Sequence, residues 1–318
     1  FLFPAAMSEQ EERVDLPLAI RKFRQFTDPD SNAAEAVFQA LTEVFKQSEA
    51  TTTMQVKEEL EEAAELLKTE NGSTVAITSG CDLFVGHVMN VLNTDEGFSS
   101  SKRKLLDRLE RFKKMTVIIR LEIANHTERF ITDDSTILVH GFSRVVLAIL
   151  RNAAKKNKRF KVIVTESRRD QAGVRMVKEL DDMGIPTIFI TDCAVAHYLA
   201  QEVDMVFVGA EMVVENGGIV NKIGTYQIAI IAHSFNKPFY VAAESYIFTR
   251  VYPLNQQDLP DMGTQAPLAT DNLPASTEVW NSSSDYTPPQ YIRLLFTDQG
   301  VLTPSAVSDE LIRRQNFW

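Results

Sequence analysis

At Thr136 the spacing of apolar residues changes, and that change limits what the chain can fold into. Upstream, from about Asp15 to Ile131, apolar residues recur with the 3.6-residue period of an amphipathic helix. Downstream they gather in short β-branched runs at 136–139, 161–165, 186–190, 205–208, 238–242 and 292–296. Runs that are apolar nearly throughout read as strands covered on both faces, and helical stretches of about 10 to 20 residues between most of them imply parallel βαβ crossovers. The expected architecture is α/β: an N-terminal helical domain over 7–131, then a Rossmann-like parallel-sheet domain over 132–318.

In the first half, Ser31 is placed to cap a helix whose stripe is Ala34, Val37, Phe38, Leu41, Val44 and Phe45. Thr53 opens a second helix, around Leu60, Ala63, Ala64 and Leu67, with a solvated Glu/Lys-rich face. A third groups Leu83, Phe84, His87, Val88, Val91 and Leu92. A long fourth follows Ser99-Ser-Ser101 through Leu105, Leu106, Leu109 and Phe112 toward Phe130. In the second half, a loop at about 253–290 holds six of the 12 prolines among polar residues. A loop that long is expected to be functional or mobile: partly packed near 246–258 and disordered around 261–284. The apolar residues 1–6, ahead of Met7, read as a cloning remnant or an upstream extension.

The 33 Lys and Arg against 43 Asp and Glu leave a net charge of -10, which disfavours a broad nucleic-acid or anionic-membrane surface. No stretch approaches about 18 uninterrupted apolar residues, so no membrane span is expected. The two cysteines, Cys81 and Cys193, give no disulfide framework and suit a reducing compartment, the cytosol. Each reads as a buried structural thiol or as a reactive one, the former by default. No HExxH, CxxC or carboxylate-histidine cluster with ligand spacing occurs, so no metal is expected. GxxxxGK[ST] and a strand-following GxGxxG are absent as well, and Gly141-Phe-Ser-Arg144 lacks the second glycine of a nucleophile elbow.

Ligands of open parallel sheets bind beyond the carboxyl ends of the strands. The residues there are His140, Gly141, Ser143 and Arg144 after the first run; Glu166, Ser167 and Arg168 after the second; Asp192 after the third; Gly209, Ala210 and Glu211 after the fourth; and Glu244 and Ser245 after the fifth. Asn216, Asn221 and Lys222 follow closely. Carboxylates, cations and small residues together suit a phosphorylated polar metabolite. Structural readings compete. Asn216-Gly-Gly218 has the chemistry of a tight turn, His140 either contacts a ligand or donates to a backbone carbonyl, and His87 lies on an apolar helix face and reads as packed core. His126 and Asp133 read as capping or interface groups.

Three segments carry a resemblance: Val208-Gly-Ala-Glu-Met-Val-Val-Glu-Asn-Gly-Gly-Ile-Val-Asn-Lys-Ile-Gly-Thr225, Lys237-Pro-Phe-Tyr-Val-Ala-Ala-Glu-Ser245 and Leu302-Thr-Pro-Ser-Ala-Val-Ser-Asp-Glu-Leu311. They resemble the family uniting methylthioribose-1-phosphate isomerase, ribose-1,5-bisphosphate isomerase and the regulatory subunits of translation initiation factor 2B. Within it, Ser79-Gly-Cys-Asp-Leu-Phe84, Ile137-Leu-Val-His-Gly-Phe-Ser-Arg-Val-Val146, Phe160-Lys-Val-Ile-Val-Thr-Glu-Ser167 and Pro253-Leu-Asn-Gln-Gln-Asp258 are most like the alpha regulatory subunits. The resemblance implies a helical domain followed by a Rossmann-like domain, and a homodimer formed through the C-terminal domains. It implies that the dimer bridges two beta-gamma-delta-epsilon assemblies into a decamer that exchanges GDP for GTP on initiation factor 2. It further implies a part in sensing the phosphorylated alpha subunit of that factor, with Glu35, Thr42, Glu43 and the segment from Cys81 to Phe84 as contact candidates. Exchange itself would belong to the epsilon subunit.

Isomerisation needs positioned acid and base groups. The family isomerases use a cysteine after the first strand and an aspartate in a Gly-Ala-Asp segment; the matching positions here are Gly141 and Glu211. The binding frame is better kept. Asn221 and Lys222 match an Asn-Lys pair, and Glu166, Arg168, Gly173 and Arg175 match a Glu-Thr-Arg-Pro-x-x-Gln-Gly-x-Arg pattern, with Arg169 and Ala172 as departures. The expectation is a non-catalytic regulatory subunit without cofactor, keeping a pocket for a sugar phosphate or nucleoside monophosphate formed by Ser79, Gly80, His140, Ser143, Arg144, Glu166, Arg168, Glu211, Asn221 and Lys222. The amides near Ser79 and Gly80 would hold phosphate if these residues open a helix. The alternatives are an aldose 1-phosphate isomerase of the same family and a free homodimeric metabolite-binding protein.

Overall fold

The computed structural model describes residues 17–27, 33–70, 75–92, 98–168, 170–258, 274, 276–278 and 282–314. Residues 1–6, Ser31, Arg169, the Phe112 side chain and most of 261–284 lie outside them. The first half is helical: α1 (Leu18–Phe26), α2 (Ala33–Gln47), α3 (Thr53–Glu70), α4 (Val75–Leu92) and α5 (Phe98–Thr127). On α2, Ala34, Val37, Phe38, Leu41 and Phe45 face inward as the spacing predicts, with Val44 half-buried at the edge. Val37, Phe38, Leu41 and Phe45 pack with Leu60 and Leu67 of α3 and Phe84 and Val88 of α4. Each such large apolar side chain removed from water contributes about 1.5–3 kcal/mol.

One helix carries both cores. On α5, Leu105 and Leu109 complete the helical core, while Ile119, Ile123 and Ala124 pack in the core of the sheet. A 3-10 turn, Glu128–Phe130, then leads into the second half.

There, β1 (Ser135–His140), β2 (Phe160–Thr165), β3 (Thr187–Ile190), β4 (Met205–Val208), β7 (Phe239–Ala242) and β9 (Leu294–Thr297) correspond to the six apolar runs. They form a parallel sheet, with β10 (Gly300–Leu302) antiparallel at one edge, in the order β10-β9-β7-β4-β1-β2-β3. Helices α6 (Arg144–Lys155), α7 (Ala172–Asp182), α8 (Val195–Gln201), α9 (Thr225–Ser234) and α10 (Val307–Arg314) complete the chain. The strands run outward through β2 and β3, then return to β4 on the other side of β1. This reversal opens a crevice at the carboxyl ends of β1 and β4.

A second sheet has no counterpart in the sequence reading: β5 (Met212–Val213), β6 (Ile219–Lys222) and β8 (Ser284–Thr287), all antiparallel. These strands are short or polar and leave no apolar run. The expected tight turn is present between β5 and β6, where Gly217 has φ +85° and the Asn216 side-chain oxygen accepts the Gly218 amide at 2.9 Å. The long loop is only partly as expected. Tyr246, Ile247 and Phe248 are buried while Tyr252 and Leu254 are exposed, and the end of the segment expected to be disordered is ordered, because Ser283 and Ser284 are buried against β6.

Candidate functional site

After β1, Gly141 turns the chain at φ +60°, and a Cβ there would meet Ser167 Cβ and Oγ at 3.2 Å. Ser143 then caps α6, its Oγ accepting the Val146 amide at 3.4 Å. Gly209, following β4, comes so close that a Cβ would lie 2.5 Å from Ser143 Oγ. Glycines on both sides of the reversal therefore let the two strand ends meet, and leave the crevice without a side chain at either position.

His140 is buried and uses both ring nitrogens within the protein. Nε2 lies 2.9 Å from the Ile223 carbonyl and Nδ1 2.6 Å from Thr165 Oγ1. A carbonyl only accepts, so Nε2 carries the proton and Nδ1 accepts from the threonine hydroxyl. Burial lowers the His140 pKa and holds the ring in this neutral form. The carbonyl-donor role foreseen for His140 is thus filled, and it pins the loop between β6 and α9 over the crevice.

Behind β2, Asp192 gathers the turn: its carboxylate accepts the Ser167 amide at 2.9 Å and the Arg168 amide at 2.8 Å. Asp170 accepts from Ser167 Oγ at 2.8 Å and pairs with the Lys222 ammonium. Burial works against the Asp170 carboxylate, but the Lys222 charge and these donors hold its pKa below the ordinary value. The Arg168 side chain is 82% exposed and stands at the rim, 3.8 Å from Glu166. Gly173 is needed where it is, since a Cβ would sit 2.1 Å from the Thr165 carbonyl. Arg175 stacks over the Phe142 ring, 3.9 Å from its centroid.

Below this, Glu211 is half-buried and receives Ser284 Oγ at 3.4 Å. Asn221 is buried and donates to Thr225 Oγ1 at 3.1 Å, whose hydroxyl donates to the Lys222 carbonyl. Asp285 is also buried, its carboxylate accepting the Gly224 amide at 2.8 Å and the Tyr226 amide at 3.1 Å, which caps α9. Burial first, then the neighbouring Glu211 charge, push the Asp285 pKa up to about 7 against these two donors.

At the crevice's other rim, Glu35 Oε2 of α2 receives Arg120 Nη2 at 2.9 Å and Arg144 Nη2 at 2.8 Å. Thr116 Oγ1 donates to Oε1 at 3.2 Å, and Arg120 Nε reaches Glu244 Oε1, beyond β7, at 3.3 Å. Burial opposes the Glu35 charge, yet the two guanidinium groups hold its pKa below the ordinary value.

The structure thus brings together His140, Ser143, Arg144, Glu166, Arg168, Glu211, Asn221 and Lys222 at the strand ends. Ser79 and Gly80 require a correction, because they do not open a helix. They lie within α4, past its first turn, where a Cβ on Gly80 would meet Ala34 Cα at 3.2 Å, so this glycine serves the contact between α4 and α2. The surface-contact expectations also change. Glu35 is buried in the ion cluster, Thr42 is buried with its hydroxyl on the Phe38 carbonyl, and Phe84 is 0% exposed and packs edge-on against Phe38, as core. Glu43 alone of the four is partly exposed, paired with Lys46 at 3.2 Å. His87 is half-buried on α4, and His126 Nδ1 bonds the Thr297 carbonyl at 2.8 Å.

Arg120, Asp170 and Asp285 were missed by the sequence reading. Arg120 had a signal, a lone charge within Val117-Ile-Ile-Arg-Leu121; Asp285 sits in a polar strand and had none. Among the described residues, no group of His, Cys, Asp and Glu could hold a metal ion, and no helix is long and apolar enough to cross a membrane.

The sequence pattern that defines the initiation factor 2 subunit family matches residues 27–304. A curated relative, translation initiation factor eIF2B subunit alpha of Dictyostelium discoideum, is 43% identical over 94% of this chain and 97% of its own length. Ribose 1,5-bisphosphate isomerase of Thermococcus kodakarensis is 32% identical over 77% of this chain and 72% of its own. Among solved structures, the translation initiation factor eIF-2B of Pyrococcus horikoshii OT3 superposes with a TM-score of 0.72 at 26% identity, covering 91% of this chain and 98% of that one.

Proposed function

Because the chain belongs to the initiation factor 2 subunit family, we propose that it acts as an alpha-type regulatory subunit of initiation factor 2B, without catalysis of its own. In this reading it forms a homodimer that bridges two beta-gamma-delta-epsilon assemblies in the cytosol, and it helps the complex respond to initiation factor 2 with a phosphorylated alpha subunit. The observation that carries the non-catalytic part is Gly141. It has no side chain to move a proton, and its φ of +60° together with the 3.2 Å approach of Ser167 leaves no unstrained place for one. Near-complete coverage of an alpha subunit at 43% identity supports the assignment within the family.

The crevice keeps the parts of an anion pocket: Lys222, Arg144 and Arg168 near the strand ends, with the capped start of α6 between them. It takes a sugar phosphate or nucleoside monophosphate as a stabilising ligand, which favours the folded, assembled form by mass action. The test is reconstitution: the purified chain is mixed with a beta-gamma-delta-epsilon assembly and followed by sedimentation velocity. A shift to a particle about twice the mass of that assembly supports the reading, and an unchanged boundary opposes it.

A second reading, retained aldose 1-phosphate isomerisation, draws on Asp285, whose carboxyl titrates at about 7 beside Glu211, and on the 32% identity to a ribose 1,5-bisphosphate isomerase. It requires turnover that Glu211→Ala abolishes.

A further inference from the structure

Among the described residues, Glu35 is a carboxylate on which two arginines from different parts of the fold converge. Arg120 comes from α5, the helix shared by both cores, and Arg144 from the first turn of α6, next to the Ser143 cap that lies against Gly209 in the crevice. Both guanidiniums point at the same oxygen, Oε2, at 2.9 and 2.8 Å, and Thr116 holds the other. Arg120 has a second carboxylate in Glu244, so two cations and two anions balance within a largely buried cluster. Arg144 differs from Arg120 in that, among the described residues, no second carboxylate joins Glu35 as its ion-pair partner, and its side chain is slightly more exposed, 20% against 14%.

We propose that Glu35 acts as an internal competitor for the anion pocket, so that ligand binding and the docking of α2 onto the sheet end are linked through Arg144. The proposal deepens the pocket reading above and rests on it. A phosphate entering between Ser143 and Lys222 draws the Arg144 guanidinium, because a dianion at hydrogen-bond range outcompetes one arm of a shared monoanion. Glu35 then keeps Arg120 and Thr116, and α2 loses its direct ion pair to α6. Linkage makes the effect reciprocal: whatever holds α2 down on Arg144 weakens the ligand, and ligand loosens α2. A crevice ligand would in this way alter the helical half of the chain, some distance from where it binds.

The experiment uses the full chain with inorganic phosphate and ribose 5-phosphate as probes. Calorimetry compares wild type with Glu35→Gln, which keeps the shape but removes the competing charge, and hydrogen exchange follows the α2 amides of wild type with and without saturating probe. The expected results are at least about fivefold tighter binding to Glu35→Gln and faster α2 exchange in the ligated wild type. Equal affinity of the two proteins together with unchanged α2 exchange overturns the linkage and leaves the pocket standing. No binding of either probe to either protein overturns the pocket and the linkage together.

Discussion

Arg120 Nη2 lies 2.9 Å from Glu35 Oε2, while its Nε lies 3.3 Å from Glu244 Oε1. One guanidinium therefore joins α2 of the helical half to the end of β7 in the sheet, through carboxylates only 8% and 4% exposed. Removing the cation from such a cluster leaves charge buried without compensation, whereas removing one carboxylate leaves each arginine some solvent or another partner.

Arg120→Ala is accordingly expected to destabilise the fold by about 3–5 kcal/mol, and Arg144→Ala by less, since Glu35 retains Arg120. Urea unfolding of the two variants beside wild type measures the order.

Glycine substitutions should separate by position. Gly173→Ala places a Cβ 2.1 Å from the Thr165 carbonyl, a backbone atom that cannot swing away, and should cost about 1–3 kcal/mol or more. Gly86→Ala in α4 meets nothing within 4 Å and should stabilise by about 0.5–1 kcal/mol through helix propensity. Thermal melts should therefore move in opposite directions.

Asp285 gives stability a pH dependence of unusual sign for a carboxylate. Its folded pKa is raised to about 7 from the ordinary 3.8, so the folded state binds this proton more tightly than the unfolded one. The contribution is fully present below the unfolded value and is lost as pH rises through 7, at a limiting slope of about 1.4 kcal/mol per pH unit between the two. Asp285→Asn should remove the slope. The readout is the difference in unfolding free energy between wild type and variant at pH 5.5, 6.5 and 7.5, in which His140, common to both, cancels.

The two thiols should differ in reactivity. Cys81 is buried in α4 and burial pushes its pKa up to about 12, while Cys193 is exposed just past β3. Iodoacetamide labelling read by peptide mass spectrometry should modify Cys193 in the native protein and Cys81 only on unfolding.

Long-range order in the sheet was legible because the parallel strands are nearly all apolar and bounded by helices; each of the six lies within a residue or two of its run. What escaped was polar structure. Strands β5, β6 and β8 hold Asn221, Lys222, Ser284 and Asp285, and β6 pairs with a strand about sixty residues further along the chain. The crevice residues were legible for a simple reason: strand ends at a reversal are fixed by topology. Burial at the helix contacts was not. Glu35 and Thr42 look like surface residues in a linear reading, yet the ion cluster and the Phe38 carbonyl hold them inside. The amides near Ser79 and Gly80 would serve a phosphate only at a helix start, whereas both residues lie inside α4, where the close approach of Ala34 accounts for the glycine.

The central claim is membership in a larger regulatory assembly, and affinity purification of the tagged chain from extracts of its native cells at moderate salt tests it most directly. The account predicts that the beta, gamma, delta and epsilon subunits of initiation factor 2B co-purify in stoichiometric yield, in a particle much larger than a dimer. Recovery of the chain alone, as a dimer of about twice its 35.8 kDa mass, would contradict it.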